Sequence, residues 1–268
     1  MSTVLAAVDN SATAAPVLSA ATAVAALLGA GIEAVHAREN GYRKAQAAAD
    51  AFGIPLRETR SRGLHGLIDS AEDPGVVQVV LGARSSSTGR RPAGHTALRL
   101  ARSLTKPLVV VPPDVPLPVR FERILVPLDG TRTTADALAA TVGLACECDI
   151  EVIALHVYDY ADLPLFSDQP HHEADAWARE FLRRYASRPE LVRLETRVGV
   201  PGEHVLRVAR DKAVDMIALG WSQHLEEGRA AVVRDLLAES PIPVLLVPIG
   251  TSAADSVNSP IRAVNDRA

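Results

Sequence analysis

The feature that most constrains the fold is a unit of strand, glycine-bearing loop, helix and strand that occurs twice. The first copy runs from Gln78 to Pro112 and the second from Met216 to Pro248. In each copy an apolar run ends at a glycine, and another apolar run follows a helix-forming segment. Because the unit recurs, we expect the 268 residues to form two similar domains of ordinary size.

Strands and helices alternate along both halves. In the first half, apolar strands are predicted at Thr3–Val8, Ile32–Ala37, from Leu56, at Val76–Gly82 and at LVVV before Pro112, with helices between them. The first of these helices is predicted from about Thr13 to Leu28. The fourth strand is apolar almost throughout, which is typical of a strand covered on both faces. The sequence therefore predicts an α/β fold: two tandem doubly wound, mainly parallel five-stranded sheets with helices on both faces.

The two halves align over their first two strands. Asp9 aligns with Asp129, and His36 aligns with His156, both at an offset of 120 residues. The offset is larger near the end of the copies because the second half carries an insertion, mostly within residues 158–185. The predicted organisation is residues 1–113 as the first domain, 114–120 as a linker, 121–249 as the second domain and 250–268 as a disordered tail.

The linker region is rich in proline. Residues 112–118 read PPDVPLP and hold four prolines. Proline fixes φ and lacks a backbone donor, so this segment is predicted to be a stiff, extended connection of polyproline type.

Composition and charge limit the classes of partner. Aromatic residues are only 4% of the chain, so alanine, valine and leucine must fill the core. A net charge of -4 with a pI near 6.1 provides no field that would attract nucleic acid or an anionic membrane. We expect neither partner.

The cysteines and the N-terminal region bear on the compartment. Cys146 and Cys148 are the only cysteines, which excludes a disulfide framework; small packed residues are favoured over a metal-binding or redox pair. The uncharged run 10–32 follows no lysine or arginine and contains Pro16, so neither a signal peptide nor a spanning helix is predicted. A cytoplasmic location is expected.

Ordered landmarks give the chain a family resemblance. They are VDNS and LDGT after the first strand, VHA and LHV at the second, VVLG and IALG at the fourth, and KPLVVVP and IPVLLVP at the fifth. In this order and twice over, they resemble a tandem universal stress protein. The resemblance covers nearly everything except the linker and the tail.

The resemblance implies an adenine-nucleotide site in the first copy. In nucleotide-binding members of the family, glycines after the fourth strand let backbone N–H groups approach phosphates, and the next helix adds positive potential. Here Ser85 stands at the second glycine position, and Gly94 comes one residue early. The implied ligand is ATP or another adenine nucleotide, with no metal, and the implied binding residues are Asp9, Ala37, Gly82, Arg91, Gly94, His95 and Thr96.

The loop of the second copy departs further from the pattern. Gln223 and Val233 replace the second and third glycines, and Glu226 and Glu227 add negative charge. We predict that this copy has lost its phosphate site. Trp221 directly follows Gly220, which indicates either that the tryptophan side chain fills the opening of the second site or that this site takes a flatter ligand.

Several polar residues have two interpretations. Asp9 and Asp129 face a ligand or metal by resemblance, or organise the start of a helix. His36 and His156 are interpreted as core or rim histidines rather than catalysts. His171 and His172 lack metal-ligand spacing and are interpreted as the start of a surface helix.

The resemblance thus implies a non-enzymatic stress-response or regulatory protein that binds nucleotide in its first copy. The alternative is a nucleotide-independent dimerisation or interaction module with both sites vestigial. No Walker lysine and no nucleophile with an evident base support an enzyme. The fifth strands are expected to pair, either within one chain or in a homodimer.

Overall fold

The computed structural model describes residues 2–38, 41–83, 95–158, 180–181, 183–223 and 231–249. The strands are β1 (Thr3–Val8), β2 (Gly31–Arg38), β3 (Leu56–Arg62), β4 (Val76–Gly82), β5 (Leu108–Val111), β6 (Arg123–Leu128), β7 (Glu151–Tyr158), β8 (Val192–Val198), β9 (Met216–Trp221) and β10 (Val244–Pro248). The helices are α1 (Ala14–Leu28), α2 (Arg43–Ala51), α3 (Gly63–Ala71), α4 (His95–Ser103), α5 (Arg132–Glu147), α6 (Pro201–Asp211) and α7 (Ala231–Glu239), with a short 3₁₀ helix at Pro189–Leu191. Residues 180–181 and 183–185 are also helical.

Helix α1 shows how local sequence sets an element. Its residues are mostly alanine, valine and leucine, and Pro16 lies in the first turn, where a missing N–H costs no helical hydrogen bond. The helix ends at Gly29, which has a left-handed φ of 58° and donates its N–H to the carbonyls of Ala25 and Ala26. The predicted end of this helix is confirmed.

All ten strands form one sheet in the order β3-β2-β1-β4-β5-β10-β9-β6-β7-β8. Within each half the neighbouring strands are parallel, which confirms the predicted α/β fold class. The halves join where β5 and β10 pair antiparallel, with Val109 opposite Leu245. The two five-stranded sheets are therefore continuous, and the fifth strands pair within one chain.

Helices cover both faces of the sheet. One core layer contains buried residues of α1, α2 and α5, and the other contains buried residues of α3, α4, α6 and α7. Each layer crosses the junction: Val109 of the first half and Leu245 of the second belong to one, while Leu108 and Leu246 belong to the other. The two halves consequently share their hydrophobic cores.

The proline-rich linker differs from the sequence prediction. Instead of running extended, the chain turns at 113–114 and bends at 117–118. Val115 and Val119 are buried in the core layer of α1, and the N–H of Val119 donates to Oγ of Ser19 at 2.9 Å. Proline stiffness could be read from the sequence, but the apolar surface that holds these valines exists only once α1 lies on the sheet.

Some expectations concern residues outside the described part of the chain. These are the placement of Arg91 and Gly94, the His171–His172 region and the tail after residue 249. Both cysteines are free, in accord with the absence of a disulfide framework. Among the described residues, no helix has the length and apolarity needed to cross a membrane.

Tyr185, which belongs to the core layer of α1, is expected to contribute pH-dependent stability. Its hydroxyl donates to Oδ1 of Asp136 at 2.5 Å, and this bond, followed by burial, raises the pKa of Tyr185 above its ordinary value of 10.0. We expect Tyr185→Phe to lose on the order of 0.5 kcal/mol at neutral pH. Because the folded pKa is raised, this difference is complete below pH 10.0 and disappears as the pH rises through the folded pKa. Urea denaturation at several pH values measures it, with the exposed Tyr42→Phe as the neutral control.

Candidate functional site

The candidate site lies where the strand order reverses. In the first half, β1 lies between β2 and β4, so the crossovers from it leave in opposite directions. Crevices at such points, outside the carboxyl ends of the strands, are the usual ligand sites of open α/β sheets. Ala7 pairs with Leu81, so Asp9, two residues after Ala7, and Gly82, one residue further along β4, both lie at this edge.

Asp9 is held in a turn before α1. Its Oδ1 accepts the backbone N–H of Ser11 at 2.9 Å and also the hydroxyl of Ser11. The carboxylate therefore organises the turn rather than capping α1 directly, since α1 begins at Ala14. Within the described residues all hydrogen bonds to Asp9 end on Oδ1, so Oδ2 has no partner there.

His36 and Ala37 follow on the neighbouring strand. Nδ1 of His36 lies 2.9 Å from the carbonyl oxygen of Val8, and since a carbonyl only accepts, Nδ1 carries the proton. The other ring nitrogen, Nε2, is buried and has no partner in the described part of the chain. Ala37 is half-buried at the same end of β2. The histidine thus holds β1 and β2 together, as expected for a rim histidine.

The phosphate side of the predicted site is described in part. Gly82 pairs with Val111, and the N–H of Ala83 donates to the carbonyl of Val111 at 2.8 Å. Helix α4 begins at His95, and Thr96 is exposed in its first turn. The structure brings Asp9, Ala37 and Gly82 to one edge of the sheet. Arg91, Gly94 and the side chain of His95 lie outside the described residues.

The second half repeats this edge with a carboxylate that is bonded through both oxygens. Oδ1 of Asp129 accepts the N–H and the hydroxyl of Thr131 at 2.9 and 2.7 Å, and Oδ2 accepts the hydroxyl of Thr134 at 2.9 Å. Thr131 also caps α5 by accepting the N–H of Thr134. At the offset of 120, Thr134 corresponds to Ala14, which has no hydroxyl. This single difference explains why Oδ2 is engaged in Asp129 but not in Asp9.

The glycine of the second half is covered by side chains. A Cβ added at Gly220 would lie 3.0 Å from Cδ1 of Ile249 and 3.1 Å from Cγ2 of Thr134. Trp221 is 3% exposed, and its Nε1 donates to the carbonyl of Ala101 in the other half. The structure thus places the side chain of Trp221 in the contact between the two halves.

Two polar contacts were not found from the sequence. Asn10 donates to the carbonyl of Gly41 at 2.8 Å and accepts the N–H of Ala45 at 3.1 Å, so it connects the turn after β1 to the start of α2. The corresponding residue is Gly130, which has a φ of 81° and lies against the ring of His156. The difference between Asn10 and Gly130, like that between Ala14 and Thr134, was visible in the repeat alignment. These differences show that the two ligand-binding edges are not equivalent, but not which atoms form hydrogen bonds there.

No metal site is apparent in the ranges that the structure describes. Those ranges contain no group of three or more histidine, cysteine, aspartate or glutamate side chains that could hold an ion. The carboxylate oxygen of Asp9 that has no partner among the described residues is instead suited to a hydrogen bond with an organic ligand.

Comparison with known proteins identifies the second half. Residues 120–248 match the model of the universal stress protein family, so this half is a universal stress protein domain. A universal stress protein from Archaeoglobus fulgidus shares 16% identity at a TM-score of 0.63, covering 93% of this chain and 97% of its own. A putative universal stress protein from Pseudomonas aeruginosa shares 13% identity at a TM-score of 0.68, covering 92% of each chain. These likenesses show a shared fold over both halves. A search of curated proteins finds no match.

Proposed function

We propose that this chain, with its universal stress protein domain at 120–248, is a tandem protein whose first half is a second domain of that kind. In this proposal it is a non-enzymatic stress-response protein of the cytoplasm that binds an adenine nucleotide, ATP first, in the first half. The repeated bond from His36 to Val8 and from His156 to Leu128 supports the tandem assignment.

One observation carries the choice of the first half. Oδ2 of Asp9 lacks a partner among the described residues, whereas both oxygens of Asp129 accept hydrogen bonds. A carboxylate oxygen at the strand-order reversal can accept an adenine amino group or a ribose hydroxyl of a bound nucleotide. Oδ2 of Asp129 already accepts the hydroxyl of Thr134, so it has one lone pair fewer to offer a ligand than Oδ2 of Asp9.

The phosphate end of the proposed site would be formed by Gly82 and the start of α4. Glycine permits close backbone approach, and the N-terminus of a helix favours an anion. His95 and Thr96 open α4. We assign the remaining phosphate contacts to Arg91 and Gly94, because an arginine can engage a phosphate through two N–H groups.

Binding without turnover is part of the proposal. Of the described residues at this edge, Asp9 and His36 have the groups closest to acid–base chemistry, yet each holds backbone in place through its bonded atom. A base must reach a nucleophile to activate it, and no such pair is evident there.

The rival function is a nucleotide-independent interaction module. It is favoured by the hydrogen bonds that Trp221, at the end of β9, and Gln223, just after it, make between the halves. If both loops serve contacts of this kind, neither half binds nucleotide, and homodimerisation or a protein partner becomes the function.

Nucleotide binding is tested with freshly purified protein, from which denaturation should release adenine nucleotide resolvable on a column. We expect a thermal shift with ATP in the wild type and a loss of affinity of about tenfold in Asp9→Asn, which keeps an acceptor for Ser11 but changes Oδ2. Asp129→Asn is the matched control, since it alters the same turn in the other half, and should bind as the wild type does.

The opposite outcomes are informative. Neither released nucleotide nor a shift at millimolar ATP, AMP or cyclic AMP would favour the interaction module. Loss of binding only in Asp129→Asn would show that the second half holds the ligand.

A further inference from the structure

The last residue of β9 and the second residue after it each make a hydrogen bond to the other half of the chain. Nε1 of Trp221 donates to the carbonyl of Ala101 at 2.9 Å, and Nε2 of Gln223 donates to the carbonyl of Leu104. These partners are 120 and 119 residues away in sequence. Both bonds therefore depend on the way the halves are joined.

Gln223 has a backbone conformation that is unusual for a residue other than glycine. Its φ is 64°, in the left-handed region that glycine adopts without strain. The sequence places it at the second glycine position of the phosphate loop. Gln223 therefore keeps the left-handed backbone conformation that a glycine would have at this position. Its side chain, which a glycine would lack, reaches the first half.

The acceptors are the carbonyls that a helix leaves unpaired at its end. Helix α4 ends at Ser103, and the N–H of Thr105, which would continue the helix by bonding to Ala101, is directed to Oε1 of Glu72 at 3.3 Å. The indole N–H of Trp221 donates to the carbonyl oxygen of Ala101 instead. Its ring is buried in the same core layer as Leu100 and Leu104.

We infer that Trp221 and Gln223 are positioning residues for the nucleotide site of the first half. They hold the C-terminal end of α4, while the proposed phosphate end is the start of the same helix at His95 and Thr96. A helix of nine residues is too short to be stable alone, so fixing one end orders the other. The inference rests on the proposed function, and it gives the loop of the second half a role in the ligand affinity of the first.

The coupling must be reciprocal. If the contact from Trp221 favours the ordered α4 that nucleotide binds, then nucleotide binding must strengthen that contact by the same factor. ATP should accordingly slow hydrogen exchange in residues 95–104 of the wild type and change the emission of Trp221. Trp177→Phe leaves Trp221 as the sole tryptophan for this measurement.

The test uses the full chain with Trp221→Phe, which keeps an aromatic ring and removes the N–H donor, and with Gln223→Ala. We expect each to speed exchange of the amides in residues 95–104 and to raise the Kd for ATP by about fivefold, the loss that follows from one buried hydrogen bond. Ser222→Ala changes the residue between them, which makes no hydrogen bond to α4, and should alter neither quantity.

A purely structural contact would lower stability without changing affinity. Val142→Ala, in the buried face of α5, serves as the control of this kind: it should lower Tm and leave the Kd for ATP unchanged. An unchanged Kd in both Trp221→Phe and Gln223→Ala overturns the positioning role while leaving the proposed function intact. If the wild type itself binds no ATP, the proposed function fails, and the positioning role fails with it.

Discussion

Gly66→Ala is expected to lower the free energy of unfolding by about 3 kcal/mol, although alanine is the better helix former. Gly66 lies within α3, where this helix approaches β3. An added Cβ would stand 2.1 Å from the carbonyl oxygen of Ser61 and 2.6 Å from Oγ1 of Thr59. A Cβ atom does not approach other heavy atoms this closely in proteins, so α3 or β3 would have to move.

The neighbours of Gly66 have little freedom to move. The hydroxyl of Thr59 donates to the carbonyl of Ser61 at 2.6 Å and accepts the N–H of Arg38 at 2.9 Å, and Thr59 is 2% exposed. A shift of either atom would break hydrogen bonds in a buried place, where an unsatisfied group costs about 1–3 kcal/mol. Steric overlap therefore outweighs helix propensity at this position.

Gly143→Ala is the matched control for Gly66→Ala. Gly143 lies inside α5, and nothing stands within 4 Å of the position its Cβ would take. Without a clash, only the helix propensity remains, and we expect a gain of about 0.5–1 kcal/mol. Urea denaturation measures both variants. Equal stability of Gly66→Ala and wild type would show that α3 and β3 are not packed as closely as described.

Val109→Lys is expected to cost on the order of 4 kcal/mol or more, since it buries a charge without a partner. Val109 is 0% exposed and lies between Val80 of β4 and Leu245 of β10. Val77→Lys is the control: Val77 is 37% exposed on β4, where the ammonium group can reach water, and the loss should stay within about 1 kcal/mol.

The shape of the unfolding transition is part of this expectation. Because both core layers contain residues of both halves, damage at the junction should destabilise the whole molecule in a single transition. Calorimetry and denaturation followed by circular dichroism should then agree on one midpoint. Two separate transitions in the wild type, with only one shifted in Val109→Lys, would show that the halves unfold independently.

The alternation of apolar strands with helices was sufficient to predict most of the fold. Strand β1 has the predicted bounds, and α1 begins one residue after the predicted start, because period, proline and glycine act locally. The repeat offset also predicted that His36 and His156 occupy equivalent places, which their equivalent bonds to Val8 and Leu128 confirm. The linker was different, since the burial of Val115 and Val119 depends on a surface assembled elsewhere.

The candidate site divides in the same way. The sequence alone placed Asp9 and Gly82 at the carboxyl ends of two strands and marked the second loop as degraded at Gln223. Tertiary structure decided that one oxygen of Asp129 is occupied by Thr134 while its counterpart in Asp9 is not, and that Trp221 reaches Ala101. Periodicity and turn chemistry act over a few residues and can be read along the chain. The hydrogen bond from Trp221 to Ala101 joins residues 120 positions apart and can form only after β5 and β10 have paired. The sequence shows both residues, but only the tertiary structure shows that they are in contact.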